Sequence, residues 1–295
     1  MARKIVITGA TGTIGSKLLD ELAVDERAGQ IELWASARSA ESERSLSVRG
    51  FRCVQFDYAS RHTFRAATEG THALFLLRPY GMEAFIQSKQ LIDAAREAGV
   101  AHIVHVSAHG APWAATIGWI HLIDAYIAQS GISYTLLRPA FFMDNLLAVT
   151  NPEARTVTHF FGTGPVGWIA AVDIARVAAA VIRRPGEHAG RTYPLATESR
   201  SMTDLAELLR DVTGEPYQFV PAAADEGALA AFAARGRGEY FSRMFIEYMR
   251  AIAAGEVPEA AQTFQNVPLI TGHPATTWRE FIETRAESFR HHTSA

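Results

Sequence analysis

Ile5-Val6-Ile7-Thr8-Gly9-Ala10-Thr11-Gly12-Thr13-Ile14-Gly15 is the stretch that decides the fold. A short apolar run, read as a strand over Lys4–Thr8, leads into three evenly spaced glycines and then a helical pattern over Gly12–Leu22. At such a junction the first glycine permits a tight turn, the second lets backbone approach a pyrophosphate, and the third allows close helix–strand packing. The phosphates would sit on the helix N-terminus, where free N–H groups and the helix dipole favour negative charge. The spacing is G-x-x-G-x-x-G, and a purely structural turn is the alternative reading. Its place at the first βα junction of a repeated βα pattern favours a dinucleotide. The G-x-x-x-x-G-K-[ST] spacing of a nucleoside-triphosphate loop is absent.

Outward from this turn, short apolar runs alternate with helical patterns. Strands are expected at Ile31–Ala37, Arg52–Phe56, His72–Leu77, His102–Ser107 and Ser133–Arg138. Helices are expected at Ala40–Val48, Arg61–Thr68, Met82–Ala98 and Ile117–Ser130, two of them stopped at Gly99 and Gly131. Strands apolar on both faces, joined by helices, predict an α/β, Rossmann-type, doubly wound parallel sheet. Past Ala140 the rhythm loosens. Helices are expected at Val172–Arg183, at Met202–Thr213 behind the N-cap Ser201, at Asp225–Ala234 and at Glu239–Ala253. Strands are expected at Arg191–Ala196 and Tyr217–Val220, and a last helix capped by Thr276 or Thr277 runs through Phe289. This predicts a Rossmann domain over 1–150 and a smaller α+β substrate lobe over 151–295, packed as one unit with chain crossings possible.

The 295 residues are 48% hydrophobic with a formal net charge of -3, so nothing points to nucleic acid or an anionic membrane as partner. The single cysteine, Cys53, rules out an intrachain disulfide and reads as a buried, inert thiol. No histidine set, including His291-His292, has metal-ligand spacing, so no metal is expected. The N-terminus carries no signal-peptide core and no run is long enough to span a bilayer, which predicts a cytoplasmic protein, monomeric or homodimeric.

An acid after the second strand would bond the ribose 2′-hydroxyl of NAD; an arginine there accommodates the 2′-phosphate of NADP. Here the chain reads Trp34-Ala35-Ser36-Ala37-Arg38-Ser39, with Arg38 able to give a planar, bidentate phosphate contact and Ser36 or Ser39 a hydroxyl. A solvated surface arginine is the bland alternative. The sequence favours NADP(H). Asp57, after the third strand, is placed either to meet the adenine amino group or simply to form a turn.

Several segments together resemble the NmrA-like branch of the atypical short-chain dehydrogenase/reductases. They are the opening glycine run, Phe56-Asp57-Tyr58, Ala101–Ser107, Ser130–Asn145 with its Leu137-Arg138-Pro139-Ala140-Phe141-Phe142 core, and Thr271–Phe281. The resemblance implies NADP(H) at the carboxyl ends of the strands. Gly9, Thr11, Gly12, Thr13 and Ile14 would hold the pyrophosphate and Arg38 the 2′-phosphate. Leu76, Leu77, Arg78 and Ser107 would border the ribose and nicotinamide, and Pro139, Ala140, Phe141 and Phe142 would line the nicotinamide side. Such families contain both reductases and regulators that bind the cofactor without turning it over.

Typical short-chain dehydrogenases use a Tyr-x-x-x-Lys pair, which this chain lacks: none of Lys4, Lys17 and Lys89 follows a tyrosine by four residues. In the corresponding helix, His121 occupies about the right turn and is the candidate proton donor, with a structural histidine as the alternative. Ser107 is placed to hydrogen-bond a substrate carbonyl, and Asp124, read as a solvated carboxylate, could orient His121. Arg138 and Asn145 read as structural. Tyr80, His109, Trp113, Trp119, Phe161 and Trp168 are candidate substrate-pocket residues, within an aromatic set that also includes Phe160, Tyr240 and Phe241. The expected function is an NADPH-dependent reductase of a hydrophobic, conjugated small molecule of iminium, quinone or enone type. A non-catalytic NADP(H)-sensing protein is the alternative.

Overall fold

The computed structural model describes residues 2–79, 83–110, 118–222 and 239–290; the side chains of Gly118, Trp119, Tyr240 and Phe241 also fall outside the description. Seven strands form the central sheet: β1 (Arg3–Ile7), β2 (Ile31–Ala37), β3 (Arg52–Gln55), β4 (Thr71–Leu77), β5 (His102–Val106), β6 (Ser133–Pro139) and β11 (Arg191–Leu195). All neighbouring pairs are parallel, in the order β11-β6-β5-β4-β1-β2-β3. The crossovers are α1 (Thr13–Arg27), α2 (Ala40–Val48), α3 (Phe64–Thr68), α4 (Ala84–Glu97), α5 (Gly118–Gln129) and α7 (Ala171–Arg183), with the short α6 (Leu146–Val149) before α7. This is the Rossmann-type sheet expected from the alternating pattern.

Strand alternation divides the core. Ile5 and Ile7 point with Ala35, Phe75 and Val104 into one layer, covered by Ile14, Leu18 and Leu22 of α1 and by Ile174, Ala178 and Val181 of α7. Val6 points the other way with Leu74, Leu76 and Ile103, against Leu91 and Ile92 of α4 and Ile123 and Ile127 of α5. With both faces covered, the strands need apolar residues at every position, which is why they read as continuous runs.

The chain crosses back after residue 150: α7 packs along α1, and β11 extends the sheet beside β6. Two three-stranded sheets sit beyond the main one. The first joins β7 (Phe141–Phe142), β10 (Val166–Ile169) and β12 (Glu198–Arg200); the second joins β8 (Thr150–Asn151), β9 (Thr156–His159) and β13 (Gln218–Pro221). Together with α8 (Met202–Thr213), α9 (Glu239–Ala253), α10 (Asn266–Thr271) and α11 (Trp278–Glu283), they carry a second core that includes Phe161, Trp168, Tyr217, Tyr248, Trp278 and Phe281.

Three sequence expectations are corrected. Helix α1 runs to Arg27 rather than Leu22; its apolar stripe ends at Leu22, but Asp25 in its last turn is gripped by Arg183 at 2.8 Å. Thr277, not Thr276, caps α11, which ends at Glu283, where Thr284 Oγ1 bonds back to the Glu280 carbonyl; a separate 3-10 turn covers Ala286–Phe289. Cys53 is half-buried rather than buried. Strands β7, β8, β9, β10 and β12, of two to four residues, are too short to carry a readable period. The expected helix Asp225–Ala234 and the pair His291-His292 lie outside the described residues.

At the amino-terminal edge of the sheet, His102 is held in one tautomer. Thr135 donates to the His188 carbonyl at 2.8 Å, so it accepts from His102 Nε2 at 3.0 Å, and Nδ1 accepts from Ser133 at 3.0 Å. Burial pushes His102 down to about 4. Folding therefore favours the neutral ring; this contribution is full above the unfolded value near 6.5 and is lost as pH falls from there towards 4. Denaturant unfolding at pH 7.5 and pH 5.0 should show a loss of about 2 kcal/mol attributable to His102. In His102→Gln that pH-dependent part should be absent; an unchanged pH slope would refute the assignment.

Candidate functional site

The first glycines are required by contact. Gly9 has φ +65°, and a Cβ there would lie 2.7 Å from Leu77 Cδ2. A Cβ on Gly15 would lie 2.2 Å from the Gly9 carbonyl oxygen, so no side chain fits where α1 meets the turn. Gly12 is the N-cap of α1 in an extended conformation, makes no side-chain cap, and is followed by a first turn with no acidic residue. The N–H groups of Thr13 and Ile14 have no partner within the helix and point outward from a positive dipole end. Ile14 is itself buried, so only its backbone can serve a ligand.

A cavity of about 540 Å³ extends from this turn, lined by Gly9, Ala10, Thr11, Ser36, Arg38, Ser39, Asp57, Leu77 and Arg78 among others. Arg38 is exposed and has no ion-pair partner among the described residues. Ser36 is buried in the wall, and Ser39 is committed to capping α2 through the Ser42 N–H at 3.2 Å. Asp57 serves the turn: its Oδ1 accepts the Ala59 N–H at 3.0 Å, while the residue lines the cavity. Tyr58 donates to the Leu77 carbonyl at 3.1 Å; its hydroxyl is pushed well above the usual phenol range, chiefly by burial. Leu76 does not reach the cavity. Its side chain is wholly buried and its carbonyl accepts from His105. A cradle with no room for Cβ atoms, free helix N–H groups and an unpaired arginine fits a phosphorylated dinucleotide.

A second cavity of about 170 Å³ adjoins the first at Arg78, which lines both. Its described walls include Ser107, His109, Ile120, Pro139, Ala140, Phe141, Phe142, Asn145, Phe245 and Tyr248. Phe161 and Trp168 do not line it. They lie behind Phe141, with ring centroids at 4.4 and 6.0 Å, and both are buried. His109 Nε2 donates to the Glu259 carbonyl at 3.1 Å, and burial lowers its pKa. Tyr80 and Trp113, and the side chains of Trp119, Tyr240 and Phe241, lie outside the described residues.

Asp124, read from the sequence as solvated, is 1% exposed and serves as the hub behind the cavity. Its Oδ2 accepts from Ser107 Oγ at 2.9 Å and from Arg138 Nε and Nη2 at 3.1 and 2.8 Å. It therefore orients Ser107, not His121: its Oδ2 is taken up by Ser107 and Arg138, and Asp124 lies on the buried face of α5 with Ile120 and Ile123 while His121 is exposed. His121 is exposed and is not among the described residues lining either cavity. His105 Nδ1 lies 3.0 Å from the Leu76 carbonyl, which can only accept, so Nδ1 carries the proton. Its Nε2 faces Asp124 Oδ1 at 3.6 Å, and burial pushes the ring down to about 4 against the pull of Asp124. The three donors all fall on Oδ2, and Oδ1 has no hydrogen-bond partner among the described residues.

Two further joints set the cavity walls. Asp144 Oδ2 accepts the Ala171 N–H at 2.9 Å, fixing the start of α7 to the segment after β7. Asp173, buried in α7, accepts from the Thr276 N–H and hydroxyl at 2.7 and 3.2 Å, which gives the Thr271–Phe281 segment its place. The sequence reading missed Phe245 and Tyr248. Phe245, Tyr248, Met249 and Ile252 have the three- and four-residue spacing of a buried helical face, but spacing does not say which cavity that face meets.

The chain is 31% identical over 293 residues to an NAD(P)H azoreductase of Xenophilus azovorans, covering 97% of this chain and 99% of that protein. It superposes on the NADPH complex of the quinone oxidoreductase QOR2 of Escherichia coli with TM-score 0.80 and 26% identity, over 95% of this chain and 99% of that one. The triphenylmethane reductase of Citrobacter sp., complexed with NADP(H), matches with TM-score 0.79 and 25% identity, over 96% and 99% of the two chains. The family model described as NmrA-like matches residues 1–229. On the glycine turn, the parallel sheet and this match over most of its length, the chain belongs to the NmrA-like family.

Proposed function

We propose that the protein is an NADPH-dependent reductase of flat, hydrophobic, electron-poor small molecules. The observation that carries this reading is the pair of adjoining cavities at the carboxyl ends of the strands, one polar with a free arginine, the other walled by aromatics. Bound there, the nicotinamide would supply hydride, and a conjugated acceptor needs little else from the protein beyond binding and orientation. The first turn of α1 and the Gly9–Thr13 backbone would hold the pyrophosphate, and Arg38 the 2′-phosphate, with Asp57 and Leu77 beside the adenosine half. Arg78, Ser107, Pro139 and Ala140 would border the nicotinamide, while Phe141, Phe142, Phe245 and Tyr248 would exclude water from the acceptor. Azo compounds, quinones and triphenylmethane dyes, the substrate classes in the relatives' names, share a conjugated electron-poor framework.

Ser107 enters this reading with a defined polarity. Its proton is committed to Asp124, so it presents lone pairs to the cavity and suits an N–H or O–H partner rather than a substrate carbonyl. His121, lacking a described contact with either cavity, has no assigned step. The sensing alternative predicts tight NADPH binding and no turnover.

NADPH oxidation should therefore be measurable with a panel of quinones, azo dyes and cationic dyes; firm NADPH binding without oxidation by any of them would favour the sensor. Arg38→Ala should weaken NADPH about 30-fold, a loss of ~2 kcal/mol for charge-assisted bonds, and change NADH affinity less than threefold. An equal loss for both nucleotides would remove the 2′-phosphate role. Asp124→Ala should cost roughly 3–5 kcal/mol in unfolding free energy, because it strands the Arg138 charge. Adding Arg138→Leu should recover part of that loss, and no recovery would show that the ion pair is not the cause.

A further inference from the structure

The reductase reading leaves open what binds the heteroatom end of a conjugated acceptor. Five polar side chains line the apolar cavity among the described residues: Arg78, Ser107, His109, Asn145 and Tyr248. The Ser107 proton goes to Asp124, and the His109 Nε2 proton goes to the Glu259 carbonyl. Arg78 sits at the junction with the dinucleotide cavity, and Asn145 is exposed. Tyr248 differs from all four. Its ring is 5% exposed and stacks on Phe141, at 6.2 Å between centroids and 29° between planes. Its hydroxyl has no hydrogen-bond partner among the described residues, yet it is not among the sealed-off polar atoms. A fixed ring thus carries a hydroxyl with an unspent proton at the wall of the cavity.

We infer that Tyr248 is the hydrogen-bond donor for the acceptor oxygen or nitrogen of the substrate, an assignment that rests on the reductase reading. Burial, with the charge of Glu259, pushes its phenol up to about 12, so the hydroxyl stays protonated through the neutral range and has a proton to donate to a lone pair. When hydride adds to a conjugated acceptor, a π pair moves onto the heteroatom. A preplaced donor then gains strength as that charge develops, and Tyr248 keeps its own proton throughout. Ser107, presenting lone pairs in the same cavity, gives the site opposite polarity at a second point.

The assignment is tested by binding as well as by rate. Protein loaded with NADP+, which cannot reduce the probe, is titrated with 2-methyl-1,4-naphthoquinone and with 2-methylnaphthalene, which has the same ring system without oxygens. Tyr248→Phe should weaken the quinone about 5–10-fold, the effect of one hydrogen bond, and leave the hydrocarbon within about twofold. With NADPH, kcat for the quinone should fall by a similar or larger factor while NADPH affinity is unchanged. Loss of both probes together, or of neither, would overturn the assignment. Should Tyr248→Phe lose NADPH binding as well, 3-fluorotyrosine at the same position decides the matter: its more acidic hydroxyl should tighten the quinone and not the hydrocarbon, and no change would overturn the inference. If the wild-type protein binds NADPH but reduces none of the acceptor panel, the reductase reading fails. Quinone reduction and binding unaffected by Tyr248→Phe would defeat only the role of Tyr248.

Discussion

Where α1 leaves β1, the helix backbone approaches the turn so closely that a Cβ on Gly15 would stand 2.2 Å from the Gly9 carbonyl oxygen. This contact sets the angle at which α1 lies on the sheet. From it follows the direction of the helix N-terminus, which opens towards the cavity bordered by Gly9, Ala10 and Thr11. It also sets where Leu18, Leu19 and Leu22 meet the sheet and where α7 packs on α1. Overpacking this close an approach would cost on the order of 1–3 kcal/mol or more and would tilt the helix away from that cavity.

The second organising element is the buried carboxylate. Buried Asp124 on α5 and Asp173 on α7, and half-buried Asp144 after β7, each fasten one segment to another through N–H or guanidinium donors. Such groups are costly to bury unless every strong acceptor is met. Asp124 places three donors on Oδ2, while its buried Oδ1 has no hydrogen-bond partner among the described residues and only faces His105 Nε2 at 3.6 Å; the Oδ2 contacts fix which way the Ser107 hydroxyl points. A structural ion pair thereby decides the hydrogen-bonding polarity of a residue at the cavity wall.

Much of the wall of the first cavity is legible in the sequence, because its signals are local. The glycine spacing, the apolar runs and Arg38 after β2 lie within one βαβ unit, where chain geometry converts spacing directly into position. The second cavity is less legible. Aromatic character alone groups Phe161 and Trp168 with the pocket, yet they stand behind Phe141. Spacing along α5 pairs Asp124 with His121, yet Asp124 is buried against Ser107 and Arg138 while His121 is exposed. Phe245 and Tyr248 come from a helix more than a hundred residues away in sequence from the β6 end they face.

By itself the sequence determined the parallel sheet, the tight glycine turn and the arginine at the rim of the cavity beside it, since each depends on residues close together in the chain. Tertiary structure alone decided the wall of the second cavity, the partner of Asp124, the polarity of Ser107 and the placement of Tyr248. Those properties arise where separate segments meet, and the burial and hydrogen-bond direction of a side chain there depend on what the rest of the fold places against it.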